Sequence, residues 1–424
     1  MKPGDRLLPQ YEKFSEIVRW EGFNHTSMQR FGLLTSILLA AISVSAQIQQ
    51  DTALANQIMH SAHEQFDRKQ YDSAFDSFHE ARLLIEPYEV TLPNLFGRAL
   101  FYEGQTLQYQ RKDEEALALY LRSLEHLDVG TPYLDSVRAD LYNNIGGTYI
   151  NLGFRSKGKP YLEQALDIES QLVGTNTIGA AVTNYNLGLA NMYLGESFSA
   201  LNHFMQALPV YLRNYGENGA RVAQLYTNVG LLHRETGDLE IAEEYFRRGV
   251  DIHLYNHGPD YWNLAYPYTS LGGVYMDRKD WASALNYYLM AQKICRENRD
   301  RLIRVEAIVA AALANVYREL GDYTEAHASV DEAIKIFNES YHSDHPRFAD
   351  YYRIKGNIYL VQDRPDEASR WYEKSIETIR NAYGDKHPNL ASAFERLAWM
   401  NYQEKSMNYS LKYIQLGYQS LSDD

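Results

Sequence analysis

Residues 143–153 read NNIGGTYINLG, and the same kind of segment returns at a fixed step: YNLGLANMYLG at 185–195, TNVGLLHRETG at 227–237 and TSLGGVYMDRK at 269–279, each 42 residues on. Unit starts at 55, 97, 139, 181, 223, 265, 307, 349 and 391 align nine units with no insertion or deletion between them. A chain with an invariant period of this length folds as a stack of equivalent pieces, each burying its face only against its neighbours. That constraint overrides the usual division of 424 residues into separately cored domains.

Within the unit, three columns are always small. Position 8 is Ala62, Gly104, Gly146, Gly188, Gly230, Gly272, Ala314, Gly356 and Ala398. Position 20 is Ala74, Ala116, Gly158, Ala200, Ala242, Ala284, Ala326, Ala368 and Ser410, and position 27 is alanine, serine or glycine throughout. Large residues recur between them at helical spacing, as in Tyr268, Leu271, Tyr275 and then Trp281, Leu285, Tyr288. Each unit therefore reads as two helices joined by a tight turn such as LGDY (320–323) or QDRP (362–365), with Pro365 suited to a first helical turn. A glycine inside a helix costs roughly 0.5–1 kcal/mol against alanine. Position 8 accepts that cost because a side chain there would hold the partner helix away.

Small residues at 8, 20 and 27 with aromatics at 11, 17 and 24 resemble the tetratricopeptide repeat, over residues 55–424. The 42-residue length and linkers such as YHSDHPRFA (341–349) and YGDKHPNLA (383–391) are similar to the kinesin-light-chain variety. The resemblance implies an all-α fold, a right-handed superhelical α-solenoid of about nine helical hairpins. Departures are Glu103 and Lys355 at the usually apolar position 7, and Gly158 with Pro160, which predict a second helix in that unit that starts late or kinks.

The N-terminal region predicts location. MQRFGLLTSILLAAISVSAQ (28–47) places Arg30 before an apolar stretch from Phe31 to Val44, followed by Ser45 and Ala46, the layout of a secretory signal cleaved after Ala46. Residues 1–27 are mixed in charge and too long for a leader region, so translation is expected to start at Met28. Residues 47–54 are expected to be a short linker, with the array at 55–424. The expected mature form is periplasmic or secreted and does not span a membrane.

Chemistry has few places to sit. There is no phosphate loop, dinucleotide fingerprint or zinc-protease helix motif, so no catalytic residue, cofactor or metal site is expected. His342 and His345 are spaced for a metal, but His345-Pro346 recurs as His387-Pro388, which makes it repeat-linker chemistry. The lone Cys295 lacks a repeated histidine to act as its base and reads as a packed thiol. Asp113, Glu115, Asp238 and Glu240 sit at turns and helix starts, where they complement the helix dipole. With 41 basic against 55 acidic residues, net charge −14, and no basic tract, nucleic acid is excluded as an expected partner.

What remains is surface. The resemblance implies that first helices line a concave wall through positions 2, 5, 6, 9, 12 and 13. Position 6 holds Asn144, Asn186 and Asn228, and position 9 holds Asn315 and Asn357. An amide carries donor and acceptor together, so such residues either grip an extended peptide by its backbone or bridge neighbouring helices. Arg234 and Arg318 at position 12, with Glu235, Asp277 and Glu319 at position 13, add charge, and Tyr109 and Tyr193 at position 13 add amphipathic surface.

The function expected is an exported, non-enzymatic scaffold that binds a peptide or protein in this groove. The alternative is a regulatory array of a truncated larger protein with a C-terminal caspase-like peptidase or signalling module. It draws on the ninth unit, which reads as uncapped: Tyr413, Ile414, Tyr418 and Leu421 are expected beside solvent, which leaves homo-association through that end open.

Overall fold

The computed structural model describes residues 25–127, 131–172, 174–340, 345–385, 389–403 and 407–421, and among them every regular element is helical. The chain divides into two compact units, residues 1–172 and 173–424. The first contains α1 (His25–Asp67), α2 (Tyr71–Ile85), α3 (Pro93–Tyr109), α4 (Asp113–His126), α5 (Pro132–Asn151) and α6 (Arg155–Leu172). The second contains α7 (Ile178–Tyr193), α8 (Ser197–Tyr215), α9 (Ala220–Thr236), α10 (Leu239–His257), α11 (Ala265–Asp277), α12 (Trp281–Glu297), α13 (Arg299–Leu320), α14 (Tyr323–Ser340), α15 (Phe348–Val361), α16 (Pro365–Tyr383), α17 (Asn389–Gln403) and α18 (Met407–Leu421). Odd-numbered helices are the first of each hairpin, and each packs most closely on the even-numbered helix that follows it.

Every second helix begins at position 17, because the turn before it is built the same way each time. Position 15 has a positive φ in all eight described turns: Gly153, Gly195, Gly237 and Gly321 take it freely, and Lys69, Arg111, Lys279 and Asp363 adopt it at 55–65°. The next backbone N–H then reaches back to the carbonyl five residues earlier, as in Asp238 to His233 (2.8 Å) and Asp322 to Tyr317 (2.9 Å), which satisfies a carbonyl the helix end leaves free. Linkers between hairpins use a second glycine with positive φ, at Gly174, Gly216, Gly258 and Gly384. The equivalent residue after α12 is Asp300, and there the chain returns to helix at once, making α13 a 22-residue helix.

The third hairpin corrects one expectation. α6 starts at Arg155 like its counterparts and runs through Pro160 without a late start, since Phe154 N–H still closes the turn on Tyr149 (2.8 Å). Gly158 is there for closeness: a Cβ on it would lie 2.6 Å from the Gly146 carbonyl oxygen.

Position 8 meets position 24 of its own unit. A Cβ built on Gly104, Gly188, Gly230, Gly272 or Gly356 would stand 2.5–2.8 Å from the ring of Tyr120, Phe204, Phe246, Tyr288 or Tyr372, and one on Gly146 would stand 2.6 Å from Leu162. These large side chains are buried, so the glycine column and the aromatic column are two halves of one contact. The seventh unit exchanges the pair for Ala314 and Val330, both fully buried.

Position 7 explains its departures through the preceding hairpin. The buried Glu103 carboxylate accepts from Arg82 Nε at 2.6 Å and lies 2.7 Å from His79 Nδ1, both on α2. Lys355 binds Asp331 of α14 and lies over the Trp371 ring. Another such tie joins the fifth and sixth hairpins, where Glu243 of α10 accepts from Tyr275 Oη (2.7 Å), Arg247 (Nε, 2.8 Å) and Arg278. Burial works against its charge, but the Tyr275 hydroxyl and the two guanidiniums outweigh this and hold its carboxyl down to about 2.

His253 of α10 is 2% exposed, its Nδ1 has no hydrogen-bond partner among the described residues, and burial, reinforced by His257, pushes its imidazole down to about 4 from 6.5. The unfolded chain therefore binds the extra proton, so stability contributed by neutral His253 is complete above pH 6.5 and is lost as pH falls toward 4. The full loss is on the order of 3 kcal/mol. Urea midpoints at pH 7 and pH 4.5 should diverge less for His253→Gln than for the unmodified chain; equal divergence would contradict the assignment.

Candidate functional site: the wall of first helices

Five pairs of successive first helices touch among the described residues: α3 with α5 in the first unit, and α7, α9, α11, α13 and α15 in sequence in the second. Second helices make no comparable contacts with each other, so the first helices form the shorter, inner wall. Positions 5 and 6 meet between neighbouring first helices at Tyr185 and Asn228, and positions 9, 12 and 13 at Gly273, Arg234 and Asp277.

The asparagines are half-buried and are held by the protein itself. Asn228 Nδ2 donates to Tyr185 Oη of the neighbouring hairpin at 3.0 Å. Asn357 Oδ1 accepts from Tyr372 Oη at 2.6 Å, and Asn315 Nδ2 donates to the Ala311 carbonyl of its own helix at 3.2 Å. The carbonyl of Asn144, in the first unit, accepts from Thr148 Oγ1 (2.7 Å), which also receives Gln108 Nε2. Asn186 is half-buried on α7. Each of the three tied side-chain amides uses one half internally: Oδ1 of Asn228 and Asn315 and Nδ2 of Asn357 accept or donate no hydrogen bond among the described residues.

The charged positions are also drawn into pairs. Arg234 Nε donates to Asp277 Oδ2 at 2.6 Å, spanning two hairpins. Its guanidinium lies flat on α11, where a Cβ on Gly273 would stand 2.5 Å from Arg234 Cζ. This accounts for the second glycine of SLGG, which the sequence left unexplained. Arg318 pairs with Glu319, and Glu235 accepts from Ser197 Oγ at 3.1 Å. Tyr109 is half-exposed, stacked on Tyr71 at 4.9 Å and edge-on to Phe66, and Tyr193 is half-exposed on α7.

Burial pushes the Tyr372 hydroxyl up to about 12, and the charges of Arg396, Arg318 and Arg353 act in the other direction. Trp399, one helical turn from Arg396, is half-exposed.

Other candidate chemistry has simple explanations. Cys295 is buried, and burial, then the Glu306 carboxylate, push its thiol up to about 12, so it is protonated at neutral pH. Among the described residues no three His, Cys, Asp or Glu side chains converge as a metal site. His345 Nδ1 accepts from the Arg347 backbone N–H at 3.2 Å, while His342, His387 and Pro388 lie outside the described residues. At α18, Leu411, Ile414 and Tyr418 are more than half exposed, whereas Tyr413 is half-buried against Phe394, because the two rings stack at 6.3 Å.

Hairpins of constant length, stacked with their first helices inward and fastened by inter-hairpin pairs, define an α-solenoid of the scaffold class. Models of the tetratricopeptide repeat match residues 179–254, 263–339, 306–377 and 347–406, with a further match at 139–172, and the chain belongs to this family. No curated protein sequence matches it. Among solved structures, the apo form of the quorum sensor NprR from B. thuringiensis is similar over 90% of this chain and 100% of that one, with TM-score 0.65 at 15% identity. Apo RapI is similar over 68% of this chain and 98% of its own (TM-score 0.54, 14% identity). A Rap protein complexed with Competence and Sporulation Factor is similar over 78% of this chain and 99% of its own (TM-score 0.50, 15% identity). At these identities the likeness is one of fold.

Proposed function

We propose that the chain is an exported, non-catalytic scaffold that holds a peptide or protein segment against its inner wall. The observation that carries this reading is the state of the amides. Asn228, Asn315 and Asn357 are fixed in orientation by one internal hydrogen bond and each keeps the other half of the amide for a ligand. Bridging and gripping are then one arrangement, since a group oriented in advance loses less freedom on binding. The solved Rap structure named above is itself a complex, with Competence and Sporulation Factor.

A random peptide library displayed on phage, panned against the purified chain, supplies a defined ligand for titration calorimetry. Changing Asn228 and Asn315 together to alanine should weaken the selected peptide roughly ten- to a hundredfold, two hydrogen bonds at about 0.5–1.5 kcal/mol each, with an unchanged circular dichroism spectrum. Unchanged affinity in a folded variant would remove these amides from the site. An early melt that tracks the binding loss would make them purely structural.

Export rests on residues 28–46. In α1 the apolar side chains Leu33, Leu34, Ile37, Leu38, Leu39, Ile42 and Val44 are 54–64% exposed. The part of α1 from Leu33 to Asp67 is long and apolar enough to cross a membrane. Beyond the proposed cut, contacts begin: residues 47–54 continue α1, and Tyr88 Oη donates to Asp51 at 2.7 Å. N-terminal sequencing of the exported chain should begin at Gln47; a cytoplasmic product that retains Phe31 to Val44 would overturn the proposal.

A further inference from the structure

Position 42 closes each repeat and is apolar and buried as Phe96, Ala180, Val222, Leu264, Phe348 and Leu390. The sixth repeat places Glu306 there, on α13 and 1% exposed, and among the described residues neither of its carboxyl oxygens has a hydrogen-bond partner. The other polar member of the column, Arg138, bonds the Leu127 carbonyl and Tyr142 Oη. A carboxylate taken out of water stays ionised only where a cation and hydrogen bonds reach it, and otherwise takes up a proton.

The cation is close but engaged elsewhere. Arg299, two turns earlier on α13, holds Nη1 at 3.6 Å from Glu306 Oε1, while its Nη2 donates to the exposed Glu339 of α14 at 2.7 Å. Beside it, Arg296 of α12 donates to Glu332 of α14 at 3.0 Å, a pair that ties the sixth hairpin to the seventh. Cys295 of α12 is fully buried against the same joint. Glu306 thus faces Arg299 on its own helix, Arg296 and Cys295 from α12, and Glu332 and Glu339 from α14. Burial raises its carboxyl above the usual 4.5; Arg299 opposes this, Glu332 adds to it, and Arg296 and Glu339 act more weakly in opposite directions.

We infer that the joint between the sixth and seventh hairpins is a proton-operated switch, in which Arg299 exchanges Glu339 for Glu306 when Glu306 ionises. With Glu306 protonated, Arg299 stays on Glu339 and the joint is shut over Cys295. When the proton leaves, Arg299 turns to the buried carboxylate along its own helix, and water enters to complete the hydrogen bonds. The pair that breaks is exposed on both sides, where solvent leaves little to lose. Glu306 binds its proton more tightly in the folded chain than in the unfolded one, so the stability of the shut joint is complete below pH 4.5 and is lost as pH rises through the folded value. The device needs no ligand and stands or falls apart from the function proposed above.

Cys295 is the chain's only cysteine, so its thiol reports the opening. The full chain is labelled with dithiodipyridine from about pH 5 to about pH 8, and each rate is divided by that of the urea-unfolded chain at the same pH, which removes the thiol's ordinary titration. The relative rate should rise roughly tenfold or more toward the alkaline end, because the ratio of ionised to protonated Glu306 grows tenfold per pH unit. In Glu306→Gln, which keeps the shape of the protonated acid, it should stay low and flat. Loss of the negative charge beside Cys295 favours the thiolate, so slower labelling of that variant reports closure and not thiol chemistry. Arg299→Gln should move the rise to higher pH, and Arg299→Lys should move it part of the way back.

No rise in the unmodified chain, or a rise of the same size in Glu306→Gln, overturns the switch. A rise that Arg299→Gln leaves in place overturns the exchange of partners. Circular dichroism at each pH separates opening of the joint from unfolding: labelling that merely follows a loss of helix signal also overturns the inference.

Discussion

Gly188→Leu is expected to cost several times more stability than Gly195→Ala, seven residues away. At 188 the first added carbon would lie 2.5 Å from Phe204 Cε1 and 2.6 Å from Cδ1, and the Phe204 ring is fully buried with no room to turn aside. Overpacking of this kind costs typically 1–3 kcal/mol, and leucine extends three carbons further. At 195 nothing lies within 4 Å, and the only cost is a side chain at φ +77°, about 1 kcal/mol. Lys69, Arg111, Lys279 and Asp363 already adopt the same conformation in other turns. Denaturant midpoints of the two variants decide this, and equal losses would mean that the register of positions 8 and 24 is wrong. The pair Gly188→Ala with Phe204→Val, which copies Ala314 and Val330 of the seventh unit, should cost less than the sum of the two single changes, because the smaller side chain makes room for the added carbon.

The second large effect concerns the buried acid between the first two hairpins. Arg82→Met leaves Glu103, 3% exposed, with only His79 beside it, and removing one partner of a buried pair costs about 3–5 kcal/mol. Replacing both, as Arg82→Met with Glu103→Leu, restores the apolar residue usual at position 7 and should cost less than the single change. A double-variant cycle by urea unfolding measures the difference. A single change within about 0.5 kcal/mol of the unmodified chain, the usual range for plain surface substitutions, would show that Glu103 is not held by Arg82.

The two-helix unit, its tight turn and the need for a small residue at position 8 were legible because they recur in unit after unit. That position 8 meets the large side chain at position 24 of its own unit, and that position 15 takes a positive φ even as lysine, arginine or aspartate, came only with the structure. Single departures were visible but not interpretable. Glu103 and Lys355 stood out, yet their partners Arg82, His79 and Asp331 lie on the hairpin before, and only the stacking register brings them within reach. Gly158 and Pro160 misled for the opposite reason: both weaken a helix locally, and the turn bond from Phe154 to Tyr149 together with the close approach to Gly146 overrides that preference.

The inner wall was legible as a set of positions and not as a set of free groups. The family resemblance implied a place on it for Asn228 and Asn357, but the tyrosines that orient them, Tyr185 and Tyr372, belong to a neighbouring hairpin and to a facing helix.

The central claim is that ligand lies on the wall of first helices. A photo-crosslinking amino acid placed at Tyr266, 44% exposed at position 2 of α11, and separately at Tyr255, 75% exposed on the second helix α10, tests it with the phage-selected peptide. The account predicts a crosslink from 266 and none from 255 despite the greater exposure of the latter. A crosslink from 255 alone would place the ligand on the outer surface and contradict it.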